Sequence, residues 1–443
     1  MASPHIITPW LPPPQRTYIF LNATIVSPVS GTTIPHQTVK ISKGVIESIT
    51  TTENEYTLVT HPHETTIDLK GKYLCPGLID NHVHISAVPG EKNLGDLFRL
   101  SHDVGLLRQP YMCRQMLARG FTSVRDCGGA TLALKQAIAD GLIEGPRLFI
   151  AGKALSQTGG HGDVRGPYDN SSCGCNSTDI SRVCDGVADC TRAAREELHG
   201  GADFIKIMSG GGVASPTDKL DSVQFLSSEV QAISEVARNA GTYVTAHAYT
   251  PRSIIHAISN GVTGIEHGNL IDTETARYMA KNNIFLTPTL VTYNAISHPD
   301  FKGYIPPGSM DKNQGILESG LKALRLASDA GVTICFGTDL LGPMTILQTQ
   351  EFSIRSEVLS PVEILRSATV NIAKRLGMEN VLGAIEEGFS ADLLILNENP
   401  LDDITVLDMP EKHLLAVIKD GRVFHSRWSK LPKDTERVTK LLE

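Results

Sequence analysis

The stretch Pro76–His84, with the sequence PGLIDNHVH, places two histidines at the end of an apolar run. His82 and His84 are two residues apart, so on a regular strand both side chains point to the same side and both imidazoles reach one metal ion. An H-x-H pair alone is weakly specific. The turn residues that precede the run support its interpretation as a strand that ends in a metal-binding pair.

Apolar runs bounded by turn residues recur along the central part of the chain and alternate with segments of helical periodicity. The helical segments include Ser227–Asn239, Pro251–Asn260, Asp272–Asn282 and Ser319–Ala330. The predicted strands are Tyr73–His84, Thr122–Asp126, Arg147–Lys153, Phe204–Met208, Tyr243–His247, Thr263–His267, Phe285–Leu290 and Thr333–Thr338. This alternation predicts an α/β fold, a (β/α)8 TIM barrel. An open doubly wound sheet is the alternative, and the positions of the polar strand ends favour closure.

Both ends of the chain have short β-rich runs separated by turns. Asp420-Gly421 separates two of these runs near the C-terminus and is typical of a tight hairpin. We therefore predict a small β-sandwich domain formed by residues 18–75 and 388–428, around a barrel of residues 76–387. Residues 1–17 are read as a proline-rich arm and residues 429–443 as a C-terminal tail.

Four further predicted strands carry or end in a residue that can bind a metal or substrate: Lys206, His247, His267 and Asp339. In a barrel the C-terminal strand ends meet at one mouth, where catalytic groups lie. Lys206 stands out because a lysine between two isoleucines in a buried strand is costly as an isolated cation. One interpretation is a snorkelling or ion-paired lysine. The other is an amine of lowered pKa that takes up CO2, and the resulting carbamate can bridge two metals.

Composition restricts the partners of the protein. With 40 Lys and Arg against 48 Asp and Glu among 443 residues, the net charge of −8 argues against a nucleic-acid partner. Because no apolar run has the roughly 18 residues that a membrane helix needs, we expect no membrane partner. The N-terminus lacks the features of a signal peptide, so we expect a cytoplasmic protein. A small-molecule substrate fits these expectations best.

The cysteines fall into two groups. Four are scattered through apolar segments, where thiols behave as small buried hydrophobic groups. The other four, Cys173, Cys175, Cys184 and Cys190, lie within eighteen residues in a polar stretch. Free thiols, a structural zinc site and disulfides all remain open for this cluster, because the spacing lacks the paired C-x2-C units of a typical zinc site.

Five motifs resemble those of the amidohydrolase superfamily: PGLIDNHVH, FIKIMSGGG, TAHAY, IEHGN and FGTD. The resemblance is to the subset with a carboxylated lysine on the fourth strand. Within it, the chain is most similar to the group of ochratoxinases and Xaa-Pro or Xaa-Arg dipeptidases, which is imidazolonepropionase-like. The stretches Ala154–Asp163, Gly211–Ser215 and Gly388–Leu396 carry this likeness, which runs from about residue 18 to 428.

The resemblance implies a binuclear metal site at the barrel mouth. The more buried metal would be bound by His82, His84 and Asp339, the second by His247 and His267, and carboxylated Lys206 would bridge them. Two zinc ions suit these ligands best, although manganese, iron or cobalt would fit. A water between the metals would become a hydroxide near neutral pH, and Asp339 would carry its proton to the leaving amine. The alternative is that Asp339 is a ligand only. Relatives of this kind form homo-oligomers, which we expect here as well.

A second set of residues has candidate roles in substrate binding. His161 follows the third strand in a glycine-rich loop, and Tyr249 lies two residues beyond His247, so both are candidates for catalysis and substrate contact. Gly211 and Gly212 allow the backbone to approach a ligand closely. Arg165 is a candidate partner for a substrate carboxylate, although a structural ion pair is the alternative.

The expected reaction is hydrolysis of an amide or peptide-like C–N bond in a small molecule. Candidate substrates are an N-acyl amino acid, a dipeptide and an ochratoxin-like aromatic amide. The same site is also compatible with cyclic amide opening, deamination or decarboxylation, because one scaffold supports many reactions. A non-catalytic scaffold protein is a remote alternative, since it would be expected to have lost ligands.

Overall fold

A computed structural model describes residues 7–52, 64–166, 168, 180–215 and 218–435 of the chain. Its strands, in chain order, are β1 (Thr17–Ser27), β2 (Thr32–Ser42), β3 (Val45–Thr51), β4 (Glu64–Asp68), β5 (Tyr73–Pro76), β6 (Leu78–Val83), β7 (Phe121–Asp126), β8 (Arg147–Ile150), β9 (Ala154–Ser156), β10 (Ser181–Val183), β11 (Ile205–Met208), β12 (Val244–Ala248), β13 (Gly264–His267), β14 (Phe285–Thr287), β15 (Thr333–Ile334), β16 (Leu393–Leu396), β17 (Leu414–Lys419) and β18 (Arg422–Ser426).

The α-helices span Leu94–Leu97, His102–Ala118, Leu132–Ala139, Gly186–His199, Ser227–Asn239, Pro251–Ser259, Thr273–Lys281, Leu290–Ser297, Pro307–Asn313, Ile316–Asp329, Gln350–Ser356, Pro361–Ser367, Val370–Arg375 and Pro410–His413. Short 3-10 helices cover Pro299–Phe301, Gly342–Leu347 and Ile404–Asp408. Among the described residues, none of these helices is both long enough and apolar enough to cross a bilayer.

Each of the eight predicted central runs contributes a strand to one of two parallel sheets. In the described part of the chain, one sheet has three strands in the order β6-β7-β8, and the other has seven in the order β10-β9-β11-β12-β13-β14-β15. Backbone hydrogen bonds join the two sheets on both flanks. The Asp339 N–H donates to the His82 carbonyl at 2.8 Å, and the Asp203 N–H donates to the Ile150 carbonyl at 2.7 Å. The fold is therefore of mixed α/β type, with strands that are parallel in part.

The predicted run Tyr73–His84 differs from the structure, because it forms two strands instead of one. β5 pairs antiparallel with β16, whereas β6 pairs parallel with β7. The break falls at Gly77, whose N–H donates to the Asp392 carbonyl at 2.8 Å. A Cβ atom at this position would collide with the Thr122 side chain, so only glycine allows the two sheets to approach here.

The third sheet contains strands from both ends of the chain. Its order is β18-β17-β16-β5-β1-β2-β3, and β4 pairs with β1 outside this sequence. The predicted hairpin at Asp420-Gly421 is confirmed, because β17 and β18 pair antiparallel across it and both turn residues have positive φ angles. These strands form one continuous hydrogen-bonded sheet among the described residues, and the β-sandwich remains a prediction.

The predicted central helices agree with the structure to within a few residues. The helix Ser227–Asn239 has the predicted bounds, and its buried side chains Val230, Ile233 and Ala237 recur at the spacing of one helical face. The helix Ile316–Asp329 begins three residues earlier than the predicted Ser319. These amphipathic helices pack their apolar faces on the parallel strands, which leaves the strand ends as the places where polar side chains meet.

Arg147 connects the parallel sheet of β8 to the sheet of both chain ends. Its NH1 atom lies 2.7 Å from Asp392 Oδ2, and its NH2 atom forms an ion pair with Asp420. The side chain of Arg147 is 23% exposed and that of Asp392 is 6% exposed, so water screens their attraction only partly.

We expect Arg147→Met to lower the free energy of unfolding by about 2 kcal/mol, because it leaves a largely buried carboxylate unpaired. The measurement is the midpoint of urea unfolding followed by circular dichroism. Lys322→Met is the matched control, since Lys322 pairs with Glu318 on an exposed helix face and should matter little. Equal midpoints for the two variants would contradict a stabilising role for Arg147.

Candidate metal centre

His82 on β6 and His84, directly after this strand, lie close to the carboxylate of Asp339. The Nε2 atoms of His84 and His82 lie 3.1 Å and 3.4 Å from Asp339 Oδ1. One ligand atom from each of these three residues lies within 4.8 Å of the other two, as atoms around one metal ion do. The side chain of His82 is 1% exposed and that of His84 is 6% exposed, whereas Asp339 is 22% exposed. Asp339 thus lies on the side that a substrate can approach.

His247 and His267 lie beside this group, at the ends of β12 and β13. Their ring centroids are 4.5 Å apart, and the ring of His267 is 5.2 Å from that of His82. The Nε2 atom of His267 lies 4.0 Å from Asp339 Oδ2. His247 Nε2 lies 3.1 Å from the Gly211 carbonyl oxygen. The other ring nitrogen, Nδ1, takes no part in this contact and is therefore the candidate ligand atom of His247.

The histidines of the first group also contact oxygen atoms through their second ring nitrogen. Nδ1 of His82 lies 2.9 Å from Glu266 Oε2, and Nδ1 of His84 lies 2.9 Å from the Gly128 carbonyl oxygen. Such contacts fix the tautomer and direct Nε2 toward a metal. Glu266 is itself held by a buried ion pair with Arg125 and a hydrogen bond from Thr245.

Lys206 lies on β11, and its side chain is almost fully buried at 1% exposure. In the described part of the chain, no hydrogen bond or ion pair joins its ammonium group to another residue. Its charge contributes to lowering the pKa values of His82, His247 and His267, so it lies among the candidate ligands. A lysine buried beside the candidate metal ligands is placed where a carboxylated lysine would reach them.

The protonation states of His82 and Asp339 suit metal binding. Burial lowers the pKa of His82 to about 4, and the positive charge of Lys206 acts in the same direction. Burial alone would raise the pKa of Asp339, but interactions with His82, His84 and His267 outweigh it and hold the pKa below the usual range. At neutral pH His82 is therefore uncharged and Asp339 is ionised, which are the forms that metals bind.

Two of the candidate ligands have a left-handed backbone conformation that is uncommon for residues other than glycine. His267 has a φ angle of 74° and Asp339 one of 53°. Thr289, whose Oγ1 atom contacts His267, is also left-handed with a φ angle of 50°. Such conformations are unfavourable for a β-branched residue, and they persist where the surrounding structure holds them for a functional geometry.

His161, a predicted substrate contact, packs on His247 with stacked rings whose centroids are 4.0 Å apart. Its Nδ1 atom lies 2.8 Å from Ser215 Oγ, and burial lowers its pKa to about 4, so it is neutral near pH 7. Gly212 lies directly against this ring, since a Cβ atom there would collide with the imidazole. The Gly212 backbone is therefore packed against His161, and at Gly211 a Cβ atom would collide with the Lys219 carbonyl oxygen. The approach of these two glycines to a substrate stays a prediction.

Lys312 joins two of the loops that follow the parallel strands. It lies on the helix Pro307–Asn313, and its Nζ atom donates to the carbonyl oxygens of Gly212 at 3.1 Å and Ser215 at 2.9 Å. Nζ also lies 3.3 Å from Asp218 Oδ1. We call this set of contacts the Lys312 bridge.

The remaining predicted residues, Tyr249 and Arg165, differ in their surroundings. The Tyr249 ring stacks on His267 with centroids 5.2 Å apart, so it lies beside the metal ligands. Arg165 forms a two-pronged ion pair with Asp163, with Nε 2.7 Å from Oδ1 and NH2 2.7 Å from Oδ2. A structural ion pair of this kind was the alternative to substrate binding for Arg165. Contact between Arg165 and a substrate carboxylate stays a prediction.

Within the cysteine cluster, Cys184 and Cys190 are both buried and unpaired. The Cys190 thiol lies 3.9 Å from the Cys184 carbonyl oxygen. Cys173 and Cys175 lie outside the described residues. A disulfide between Cys184 and Cys190 is thus not formed here, and the state of the other two thiols stays open.

Sequence reasoning did not assign roles to Glu266, Thr289, Tyr293 or the Lys312 bridge. Glu266 had a usable signal, because a carboxylate inside a buried strand is the same anomaly that singled out Lys206. Tyr293 and Lys312 had none, since they lie beyond the predicted strand Phe285–Leu290 in segments whose paths depend on tertiary packing. Thr289 lies within that predicted strand, and its residue type does not indicate a contact with His267.

We expect Glu266→Gln to weaken zinc binding by about 10- to 100-fold, because the amide cannot hold the His82 ring as the carboxylate does. The measurement is the zinc dissociation constant in competition with a chromophoric chelator. Glu357→Gln, on an exposed helix end, is the control. Unchanged affinity in the Glu266 variant would show that this contact does not orient His82.

Residues 73–424 match the amidohydrolase family, so the chain belongs to this family, as its motifs indicated. An ochratoxinase from Aspergillus niger is 34% identical over 371 residues, which cover 79% of this chain and 75% of that protein. Together with the prolidase structure described next, these matches identify the chain as a hydrolase that acts on carbon–nitrogen bonds.

Two solved structures are similar over most of the chain. One is an amidohydrolase with a TM-score of 0.87 and 44% identity, covering 93% of this chain and 99% of the other. The other is a prolidase complexed with N-methylphosphonate-L-proline, with a TM-score of 0.88 and 41% identity, covering 93% of this chain and 100% of that one. The family and the fold type are therefore established together.

Proposed function

We propose that this protein is a binuclear metal-dependent hydrolase that cleaves the amide bond of a dipeptide or N-acyl amino acid. The observation that carries the proposal is the convergence of His82, His84 and Asp339 at one point, with His247, His267 and buried Lys206 beside it. Similarity to a prolidase supports a peptide-like substrate, and similarity to an ochratoxinase supports an aromatic amide as the nearest other choice.

We propose that the two parallel sheets form one closed (β/α)8 barrel. The backbone hydrogen bonds from Asp339 to His82 and from Asp203 to Ile150 support closure, because they lie at the two places where the sheets meet. We also propose that residues 18–75 and 388–428 form a small β-sandwich domain. We further propose that the protein is homo-oligomeric and cytoplasmic.

The donor set fits two divalent metals, of which zinc is the proposed one. His82, His84 and Asp339 would hold the first ion, and His247 and His267 the second, with imidazole and carboxylate ligands of the kind zinc prefers. When bound, the metals would supply an acidified water and would polarise the substrate carbonyl. The second ring nitrogens of all four histidines contact oxygen atoms or carbonyls in ways that would orient them for this role.

Lys206 is proposed to carry a carboxyl group. The neutral amine attacks CO2, forms an N–C bond and releases one proton, which gives a carbamate anion. Starting from the ammonium form, which first loses a proton, the reaction replaces a buried cation that has no ion-pair partner among the described residues by an anion that lies among histidines. The burial of the Nζ group and its electrostatic effect on three histidines support this assignment.

The other residues of the site have proposed roles in proton transfer and substrate binding. Asp339, ionised and 22% exposed, would accept the proton of the attacking water and pass it to the leaving nitrogen. Neutral His161 and the Tyr249 hydroxyl would contact the substrate on the side of His247 and His267. The backbone of Gly211 and Gly212 completes this side.

The function is tested on zinc-loaded protein with a panel of Xaa-Pro dipeptides, other dipeptides, N-acyl amino acids, ochratoxin-like amides and lactams. We expect amine release from at least one dipeptide or N-acyl amino acid, and loss of that activity after dialysis against a chelator. Restored activity on adding zinc links the reaction to the metal. Turnover of lactams alone, or activity that survives with less than one metal per chain, would contradict the proposal.

A further inference from the structure

A series of hydroxyl groups runs from His267 along the wall of the candidate site. His267 Nδ1 lies 2.7 Å from Thr289 Oγ1 and 3.1 Å from the Tyr293 hydroxyl oxygen. The Tyr293 hydroxyl lies 2.7 Å from that of Tyr249. All four side chains are buried, so bulk water does not compete for these hydrogen bonds.

The donor and acceptor roles along this series follow from which ring nitrogen of His267 binds the metal. The inference rests on the proposed function, in which His267 binds a metal through Nε2, the atom that faces Asp339 at 4.0 Å. A neutral imidazole has one proton, so a metal on Nε2 requires that Nδ1 carry it. His267 Nδ1 is then a donor, and the oxygens of Thr289 and Tyr293 both accept from it.

Each hydroxyl has one proton to donate, and this determines the direction of the remaining hydrogen bonds. Because the Tyr293 oxygen accepts from His267, the Tyr293 proton is directed to the Tyr249 oxygen. The Tyr249 oxygen accepts this proton, so its own proton must point elsewhere. Near neutral pH each phenol has one O–H group to donate.

The free proton of Tyr249 lies next to the place of reaction. The Tyr249 ring is stacked on His267 at 14° between ring planes and meets the edge of His247 at 82°, with centroids 5.2 Å and 5.1 Å away. Within the described residues, Tyr293 is the one polar group that the Tyr249 hydroxyl contacts. The proton is therefore available to a group of the substrate.

We propose that Tyr293 is a positioning residue that makes Tyr249 a hydrogen-bond donor to an oxygen atom of the substrate. This side of the site then takes a carbonyl, a carboxylate or a developing oxyanion, and it rejects an ammonium group, which would find a donor where it needs an acceptor. In the metal-free protein the His267 proton is free to move to Nε2, and Tyr293 can then donate to Nδ1. Metal binding thus determines whether the Tyr249 hydroxyl donates its hydrogen bond to the substrate.

The test is a double-mutant cycle on the zinc-loaded full chain, with N-methylphosphonate-L-proline as the probe and its dissociation constant measured by calorimetry. We expect Tyr249→Phe to weaken binding by about 10- to 100-fold, the range for a hydrogen bond to a charged group. Tyr293→Phe should weaken it by about 3- to 10-fold, because the Tyr249 hydroxyl is then free to turn. The double variant should bind no more weakly than Tyr249→Phe.

Controls separate this effect from damage to the site. Tyr278→Phe removes an exposed hydroxyl that contacts Ser259 at 3.3 Å and should leave binding unchanged. Zinc content measured by mass spectrometry should remain at two ions per chain in every variant. If Tyr293→Phe has no effect, or weakens binding equally when Tyr249 is already phenylalanine, Tyr293 does not act through Tyr249 and the proposal fails.

A second measurement does not depend on ligand binding. Neutron diffraction from zinc-loaded crystals exchanged into D2O locates the hydroxyl deuterium atoms. Deuterium on Tyr293 directed at Tyr249 supports the proposal, and deuterium on Tyr249 directed at Tyr293 overturns it. A wild-type chain that holds zinc but does not bind the phosphonate would count against the proposed substrate class, and the deuterium positions would still decide the role of Tyr293.

Discussion

Replacing Lys206 by alanine is expected to leave a folded protein that binds fewer than two metal ions per chain and loses about 1,000-fold or more in kcat/KM. The variant removes the only proposed ligand that both metals share. Without it the second metal retains two histidines, which is too few for stable binding. Metal content by mass spectrometry and rate constants on the best substrate of the panel are the measurements.

Two companion experiments show whether the carbamate is responsible. Metal-free wild-type protein reloaded in CO2-depleted buffer should take up less zinc than protein reloaded with bicarbonate. Lys206→Ala should show no such difference. Lys302→Ala, an exposed lysine, is the control and should behave as wild type. Two metals and near-normal activity in Lys206→Ala would falsify the bridging role.

Replacing Asp339 by asparagine is expected to lower kcat by about 100- to 10,000-fold, the range for loss of general acid–base catalysis. Asparagine keeps the size of the side chain and one oxygen that can contact a metal, but it cannot take up and release a proton at neutral pH. Because the carboxylate lies beside His82 and His84 and is the more exposed member of that group, the loss should appear mainly in kcat.

Zinc content separates the two roles of Asp339. If the variant retains two ions and loses activity, proton transfer is the main role. If it loses one ion, Asp339 acts chiefly as a ligand, which is the alternative interpretation of this residue. Asp300→Asn, on an exposed side chain, is the matched control. A variant within about threefold of wild-type kcat would exclude both roles.

The candidate site residues could be grouped from the sequence because they follow a local rule. Polar side chains at the ends of buried parallel strands have to meet, so His82, His247, His267 and Asp339 could be grouped from their positions alone. Lys206 could be recognised because a charge between apolar neighbours needs a reason. The same argument applied to Glu266 would have predicted its contact with His82.

Other features depend on distances that the sequence does not encode locally. Tyr293 lies 26 residues from the His267 that it contacts, in a helix that begins at Leu290. The division of the first predicted strand at Gly77 depends on the approach of Thr122 and Asp392, which lie far away along the chain. The left-handed conformations of Thr289 and Asp339 cannot be predicted from residue type, since neither is a glycine.

The Lys312 bridge bears on how this enzyme can be redesigned. One ammonium group holds Gly212, Ser215 and Asp218 of the loop after β11, while its own helix belongs to the loop after β14. A loop grafted singly from a relative would leave either a partly buried lysine without acceptors or carbonyl groups without a donor. The two loops should therefore be exchanged together, as one unit.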